Sequence, residues 1–273
     1  MSALPEGQYA TTRAGHRLHY HLVGEGSPVL WLHGSGPGAS GWSNFRNNAL
    51  ALAEHGYQSI LVDSIGYGLS DKPTDVDYGL GFMADCAADV MAALGHERYA
   101  IVGNSQGGAQ AIRIARSYPE RVSRLVLMAP GGLETRDTYM EMKGIRSMVR
   151  CIYGPEGITL EGMKKVFTKQ VYDPGEVPEG VIERRTEIAH TQPIHVFRTM
   201  KVDNQEDQLD QVRCPTLGLW GMNDLFCPPS GAQKLATRIP DCRVILINRC
   251  GHWVMVEHAE LFNRSVADFL NHG

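Results

Sequence analysis

The chain has 273 residues, of which 43% are hydrophobic and 21% are charged, and its formal net charge is -4. This balance is typical of a globular protein with one α/β domain, or one core plus a modest insertion. The sequence has no basic block, which argues against nucleic-acid binding, and no apolar run near the roughly 18 residues that a membrane span needs.

The six cysteines are scattered along the chain and form no C-x-x-C pair. Such spacing favours free thiols over disulfides or a zinc site. The first stretch of the chain, MSALPEGQYATTRAG, lacks the positively charged and apolar regions of a secretory signal. We therefore expect a cytoplasmic protein without a metal ion.

The first half of the chain alternates strand-like and helix-like segments. Short apolar runs bounded by glycine or proline are typical of strands buried on both faces of a parallel sheet. Apolar residues at helical spacing predict helices over residues 82–95 and 105–122. This alternation indicates βαβ units and a mostly parallel sheet. The strands predicted for this half cover residues 17–24, 28–34, 57–63, 98–103 and 124–130.

Strand signals vanish over residues 131–200, where three helical stretches are joined by proline and glycine. Two further predicted strands, 214–221 and 243–251, and a closing helix follow. The sequence therefore predicts an α/β core in two parts, residues 1–130 and 201–273, separated by a helical cap over residues 131–200.

The stretch VGNSQGG places Ser105 between a predicted buried strand and a predicted helix. A tight strand-turn-helix connection needs small flanking residues, which Gly103 and Gly107 supply. Such a turn exposes the serine hydroxyl at the carboxyl edge of the sheet, next to a helix amino terminus that favours an oxyanion. Ser105 is therefore a candidate nucleophile, and the alternative is an ordinary serine N-cap.

A serine nucleophile needs a base, and the base needs an acid that fixes its tautomer. His252 follows the last predicted strand, and Asp224 follows the strand before it. The chain order Ser, Asp, His is that of the α/β-hydrolases, whereas Asp63, another acid at a strand end, precedes the serine. We predict Ser105, Asp224 and His252 as a catalytic triad; the alternative for His252 is a capping or core histidine.

A glycine-rich loop, HGSGPGAS, follows the second predicted strand. It lacks the G-K-[ST] of a phosphate loop and the spacing of a dinucleotide-binding loop. A loop that brings a backbone N–H to an oxyanion hole fits better. We expect the backbone N–H groups of Ser35 and Gln106 to be the two donors.

Six stretches together resemble the meta-cleavage product hydrolases, the carbon–carbon bond hydrolases of bacterial aromatic catabolism within the α/β-hydrolase superfamily. The similarity covers most of the chain and reaches the predicted cap at ERRTEIAHTQPIHVFR. The stretches are LHGSGPGASGWSNFRNN, VDSIGYGLSDKP, VGNSQGGAQAIRIA, APGGL, LGLWGMND and GHWVMVEH.

The resemblance implies the α/β-hydrolase fold, with an eight-stranded, mostly parallel sheet, flanking helices and a helical cap. It also implies an activity, the hydrolysis of 2-hydroxy-6-oxo-hexa-2,4-dienoate ring-fission products to a 2-hydroxypenta-2,4-dienoate and a carboxylic acid. The substrate is a small molecule, no cofactor is needed, and a homodimer or larger homo-oligomer is expected.

The resemblance further implies a set of residues that hold the anionic oxo-acid head of the substrate. Arg185 suits the carboxylate because its guanidinium is a planar fork, although Arg184 beside it leaves the choice open. The alternatives are structural: Asn104 stabilises the turn, and Trp253 packs. The residues expected at the substrate are Gly34, Gly36, Asn44, Asn104, Arg185 and Trp253.

Gln106 departs from the family pattern, in which an apolar residue usually follows the serine. Its backbone N–H is unaffected, but its side chain is expected to border the pocket. Since a polar group there disfavours a purely apolar substituent, the sequence favours a substrate whose 6-substituent is polar or bulky.

Two other functions fit the same triad. A carboxylesterase or lactonase needs no anion site, so Arg185 and Trp253 would have no role in it. A non-catalytic small-molecule receptor with this fold can also keep a complete triad. A haloalkane dehalogenase is excluded more firmly, because its nucleophile is an aspartate where this chain has Ser105.

Overall fold

In the computed structural model, which describes residues 6–272, eight strands form one sheet in the order β1-β2-β4-β3-β5-β6-β7-β8. The pairs β1–β2 and β2–β4 are antiparallel and all other pairs are parallel, which confirms the mostly parallel eight-stranded sheet. In chain order the strands are β1 (Gln8–Thr11), β2 (Arg17–Val23), β3 (Ser27–Leu32), β4 (Tyr57–Val62), β5 (Tyr99–Asn104), β6 (Val122–Met128), β7 (Thr216–Gly221) and β8 (Cys242–Ile247).

The central strands are buried along most of their length, as their apolar runs predict. Every residue of β5 and of β7 is buried, because helices cover both faces of the sheet there. The described residues do not include 1–5 and 273, which lie at the ends of the two predicted core segments.

Six helices belong to the part of the chain that forms the sheet. Ser40 caps the first of them, since its side chain accepts a hydrogen bond from the Ser43 backbone N–H. The third ends at Ser117, two residues before Pro119, where a helix cannot continue without strain. These helices are α1 (Gly41–Ala53), α2 (Leu80–Ala93), α3 (Gln106–Ser117), α9 (Ser230–Arg238), α10 (Val254–Glu257) and α11 (Ala259–His272).

The chain between β6 and β7 is helical and adds no strand to the sheet in the structure described. Two short 3-10 turns, Pro174–Glu176 and Glu206–Gln211, accompany its helices. None of the helices found within residues 6–272 has the length and apolar content needed to cross a bilayer. The helices of this segment are α4 (Arg136–Glu141), α5 (Lys143–Tyr153), α6 (Leu160–Phe167), α7 (Val181–Ala189) and α8 (Ile194–Thr199).

Candidate active site

The turn after β5 holds Ser105 in a strained backbone conformation, with φ of 55° and ψ of -120°. Two hydrogen bonds fix this turn to the end of β6: the Ser105 N–H donates to the Met128 carbonyl, and the Gly131 N–H donates to the Ser105 carbonyl. A Cβ on Gly103 would lie 2.6 Å from the Gly107 carbonyl oxygen, so the turn requires glycine there. The structure therefore has the tight strand-turn-helix connection that the sequence predicts.

His252 and Asp224 lie in contact at the same edge of the sheet, after β8 and β7. The His252 Nδ1 is 2.7 Å from the Asp224 Oδ2, and both side chains are buried. The other carboxylate oxygen accepts from the backbone N–H groups of Phe226 and Cys227, at 2.7 and 2.9 Å. Since an ionised carboxylate only accepts, Nδ1 carries the proton, and Nε2 is left as the basic nitrogen.

Asp63, the other acid at a strand end, has a different partner. Its carboxylate is 2.9 Å from His19 Nδ1 and accepts from the backbone N–H groups of Gly41 and Leu69. These bonds hold the start of α1 and the loop after β4, so the role of Asp63 in this structure is local.

Two residues that the sequence did not single out lie against these side chains. The Phe226 ring stacks on the His252 imidazole, with centroids 5.1 Å apart. The Cys227 thiol lies near the Ser105 side chain, and burial, followed by the nearby Asp224 charge, raises the pKa of this thiol well above its usual value. Cys227 is therefore a neutral thiol beside the serine and no rival nucleophile. Both follow Asp224 in the stretch NDLFCPP, but only the loop geometry shows their contacts.

The glycine-rich loop after β3 comes close to Ser105. A Cβ on Gly34 would lie 3.2 Å from the Ser105 Cβ, so a larger residue would press on the serine. Gly34, Ser35 and Gly36 line the same cavity as Ser105 and His252. In the described part of the chain, no protein acceptor binds the backbone N–H of Ser35 or Gln106, so both remain available to a ligand oxygen.

The His33 side chain holds the start of this loop in place through two hydrogen bonds. It is fully buried, its Nδ1 is 2.8 Å from the Gly34 carbonyl oxygen, and its Nε2 accepts from the Ser64 N–H at 3.1 Å. Burial lowers the pKa of His33 to about 4. The ring is therefore neutral at pH 7, as the Nε2 acceptor role requires.

We expect His33 to make the protein less stable as the pH falls from about 6.5 to 4. In this range the unfolded state binds a proton that the folded state excludes, so the free energy of unfolding falls by up to about 3 kcal/mol. Urea unfolding at pH 7.0 and 4.5 measures the effect. In His33→Asn the difference between the two pH values should shrink, whereas in the exposed His55→Asn it should not. Equal differences in both variants would show that His33 is not responsible.

Arg185 enters the cavity from α7. Its side chain is buried, its Nε donates to the Pro37 carbonyl oxygen at 3.3 Å, and its guanidinium carbon lies 5.1 Å from the Phe167 ring centroid and 5.7 Å from that of Trp253. Arg184 is exposed and pairs with Glu187 at 3.0 Å. The structure therefore places Arg185, and not Arg184, in the cavity that Ser105 lines.

No carboxylate in residues 6–272 pairs with Arg185. Burial lowers the pKa of its guanidinium to about 10, which still leaves it charged at pH 7. A buried charge without a counter-ion is unfavourable. The cavity is therefore suited to an anion.

Asn104, Asn44 and Trp253 also line the cavity. The Asn104 side-chain N–H₂ donates to the carbonyl oxygens of Met128 and His252, at 3.3 and 3.4 Å. Its Oδ1 is buried and has no partner among the described residues. The atom of Asn104 that is left for a ligand is thus an acceptor.

The expectation that the Gln106 side chain borders the pocket is wrong. Its Nε2 donates to the Met83 Sδ of α2 at 3.2 Å, and the side chain is not part of the cavity wall. The backbone at Gln106 turns from the serine into α3, which carries the side chain away from the cavity. Gln106 therefore gives no information about the 6-substituent of a substrate.

The chain between β6 and β7 completes the cavity, whose open volume is about 30 Å³. Ile145 and Met148 of α5 add apolar surface, and Gln170 adds a backbone contact, since its carbonyl oxygen accepts from the His252 N–H at 2.8 Å. Glu257 strengthens this contact because its carboxylate accepts from both the Gly251 and the Tyr172 backbone N–H groups. Nothing in the composition of these stretches indicates these contacts.

Comparisons with known proteins identify the fold and the family. A family model described as alpha/beta hydrolase fold matches residues 27–147. A 2-hydroxy-6-oxononadienedioate/2-hydroxy-6-oxononatrienedioate hydrolase of Comamonas testosteroni is 36% identical over 94% of this chain and 92% of its own length. A 2-hydroxy-6-oxo-6-phenylhexa-2,4-dienoate hydrolase of the same organism is 38% identical over 93% of this chain and 91% of its own length.

A solved structure leads to the same family. It is a variant of the meta-cleavage product hydrolase of Pseudomonas fluorescens IP01 complexed with acetates, which is 32% identical, has a TM-score of 0.85 and covers 97% of both chains. The fold, the strand-turn-helix connection at Ser105 and these relatives lead to one conclusion. The chain belongs to the meta-cleavage product hydrolase family of the α/β-hydrolase superfamily.

Proposed function

We propose that this protein hydrolyses a carbon–carbon bond in a 2-hydroxy-6-oxo-hexa-2,4-dienoate, a ring-fission product of aromatic catabolism. The products are a 2-hydroxypenta-2,4-dienoate and a carboxylic acid. The observation that carries the proposal is the buried, unpaired Arg185 guanidinium in the same cavity as Ser105 and His252. An ester hydrolase needs a nucleophile and a base, but it does not need this cation.

In this proposal one end of the cavity holds the oxo-acid head. Arg185 binds the carboxylate through its planar fork of N–H groups. The free Asn104 Oδ1 accepts a hydrogen bond from the 2-hydroxyl group. The Trp253 indole N–H and the Asn44 amide donate to the head oxygens, while Gly34 and Gly36 leave room for them.

The other end carries out the chemistry. A carbon leaving group is poor unless its electrons have an acceptor, so the dienol must first become a ketone: the 2-hydroxyl loses a proton and C5 gains one, with His252 as the base. After a nucleophile has added to C6, the C5–C6 bond breaks. Its electron pair is delocalised onto the 2-oxo group, which regenerates the enol.

Ser105, Asp224 and His252 act on the 6-oxo group. His252 accepts the proton of the attacking hydroxyl, whether this belongs to Ser105 or to water, and Asp224 stabilises the resulting imidazolium. The backbone N–H groups of Ser35 and Gln106 stabilise the oxyanion that forms on C6. Overall, one water adds: its hydroxyl goes to C6 and its hydrogen to C5.

The proposal extends to the organisation of the chain. Residues 1–130 and 201–273 form the core, and residues 131–200 form a cap, because Ile145, Met148 and Arg185 of this stretch line the cavity. The open volume is about 30 Å³, so we expect the cap to move when a dienoate enters.

The setting of the enzyme is also proposed. It works in the cytoplasm, where its free cysteines stay reduced. It forms a homodimer or larger homo-oligomer through the edge strand β8, on which Leu246 is 53% exposed.

The test is direct, because the dienolate form of the substrate is coloured and its hydrolysis bleaches it. We expect the purified protein to remove the visible absorption of 2-hydroxy-6-oxo-6-phenylhexa-2,4-dienoate or of a 6-alkyl analogue, with benzoate or the matching acid as the second product. Absence of bleaching with all members of such a panel would overturn the proposal.

A further inference from the structure

A larger concave surface lies on the outer side of α5 and α6. It is a groove of about 580 Å³, and five basic side chains line it. This density of positive charge contrasts with the whole chain, whose formal net charge is -4. The basic residues of the groove are Lys143, Arg146, Arg150, Lys165 and Lys169.

Among the residues that the structure describes, these cations have no acidic partners. Within residues 6–272, none of the five forms an ion pair, although Lys169 Nζ donates to the Lys165 carbonyl oxygen at 3.1 Å. Two acids, Glu156 and Glu161, also line the groove and pair with none of the five cations. The groove therefore keeps a positive excess that is available to an anion from solution.

The groove adjoins the cavity that holds Ser105. Helix α5 separates the two, since Ile145 and Met148 line the cavity while Arg146 and Arg150 line the groove. The groove and the cavity also meet after α6, where Lys169 lines the groove and its neighbour Gln170 lines the cavity. A helix is about 10 Å across, close to the Debye length at physiological ionic strength. The field of the groove therefore extends to the neighbouring cavity.

We propose that this groove is a peripheral anion site that attracts the carboxylate-bearing substrate and speeds its entry beneath α5. The inference rests on the proposed function, because it takes the dienoate anion as the ligand. An unpaired cationic surface beside the cavity raises the local concentration of an anion next to the place where it binds. Association steered in this way depends on salt.

The experiment compares two triple variants that remove the same charge. Arg146→Gln, Arg150→Gln and Lys169→Gln together neutralise the groove. We expect kcat/KM for 2-hydroxy-6-oxo-6-phenylhexa-2,4-dienoate to fall about tenfold at low ionic strength, with kcat within twofold of the wild type. Added salt should lower kcat/KM of the wild type and have little effect on this variant.

The control neutralises three exposed cations of the same helical segment that do not line the groove: Arg136, Arg198 and Lys201. Its kcat/KM should stay near the wild-type value. An equal fall in both variants, or no fall in the groove variant, would overturn the inference and leave the proposed function standing. A wild type that does not bleach any dienoate would overturn both.

Discussion

Ser105→Ala is expected to lower kcat on a 2-hydroxy-6-oxo-dienoate by about ten-thousand-fold or more. Ser105 lines the same cavity as His252, which pairs with Asp224, so the change removes the serine hydroxyl that the base would activate. The strained turn is held by backbone bonds to Met128 and Gly131 and does not depend on the hydroxyl. We therefore expect the variant to fold and still to bind substrate, seen as a shifted dienolate spectrum without bleaching.

Ser35→Ala is the matched control for this prediction. It removes a hydroxyl from the same cavity but keeps the backbone N–H, which is the group we assign to the oxyanion. Its kcat should stay within a few-fold of the wild type. Full activity in Ser105→Ala would show that water attacks without help from the serine and would remove Ser105 from the mechanism.

Arg185→Gln is expected to lower kcat/KM for dienoates by about a hundredfold or more, which corresponds to about 2.7 kcal/mol of lost transition-state binding. The change removes the cation that we propose for the substrate carboxylate and leaves a shorter, neutral polar side chain. Since an uncompensated buried charge is also removed, we expect the melting temperature of the empty protein to stay the same or to rise.

Two comparisons make this result specific. Arg184→Gln alters the exposed neighbour, which pairs with Glu187, and should change kcat/KM by less than twofold. A neutral ester such as p-nitrophenyl acetate has no carboxylate, so Arg185→Gln should leave its slow hydrolysis unchanged. If dienoate turnover also survived Arg185→Gln, the esterase alternative would gain support and the assigned head-binding site would be wrong.

Much of the fold follows from the sequence because the central strands are continuous apolar runs. All seven strands that the runs predict are present. The eighth, β1, is missed because only Ala10 among its four residues is buried, so it carries no strong pattern. An edge strand of this kind is stabilised by its pairing with β2, and the sequence does not show that pairing.

The site was only partly predictable, for a geometric reason. The order and strand-end positions of Ser105, Asp224 and His252 bring them to one edge of any parallel sheet. Neighbours in sequence, by contrast, differ in direction by about 100° around a helix. Arg185 is therefore buried while Arg184 is exposed. The prediction for the Gln106 side chain is wrong for the same reason, because a residue next to the serine need not face the cavity.

The unpaired charge of Arg185 also has a consequence for the thermodynamics of folding. In the empty protein it opposes the folded state, because unfolding returns the guanidinium to water. A bound carboxylate reverses this contribution, so occupancy and folding are linked equilibria: whatever anion fills the cavity also raises the melting temperature. We therefore expect the protein to resist thermal unfolding most strongly while an anion that pairs with Arg185 occupies the cavity.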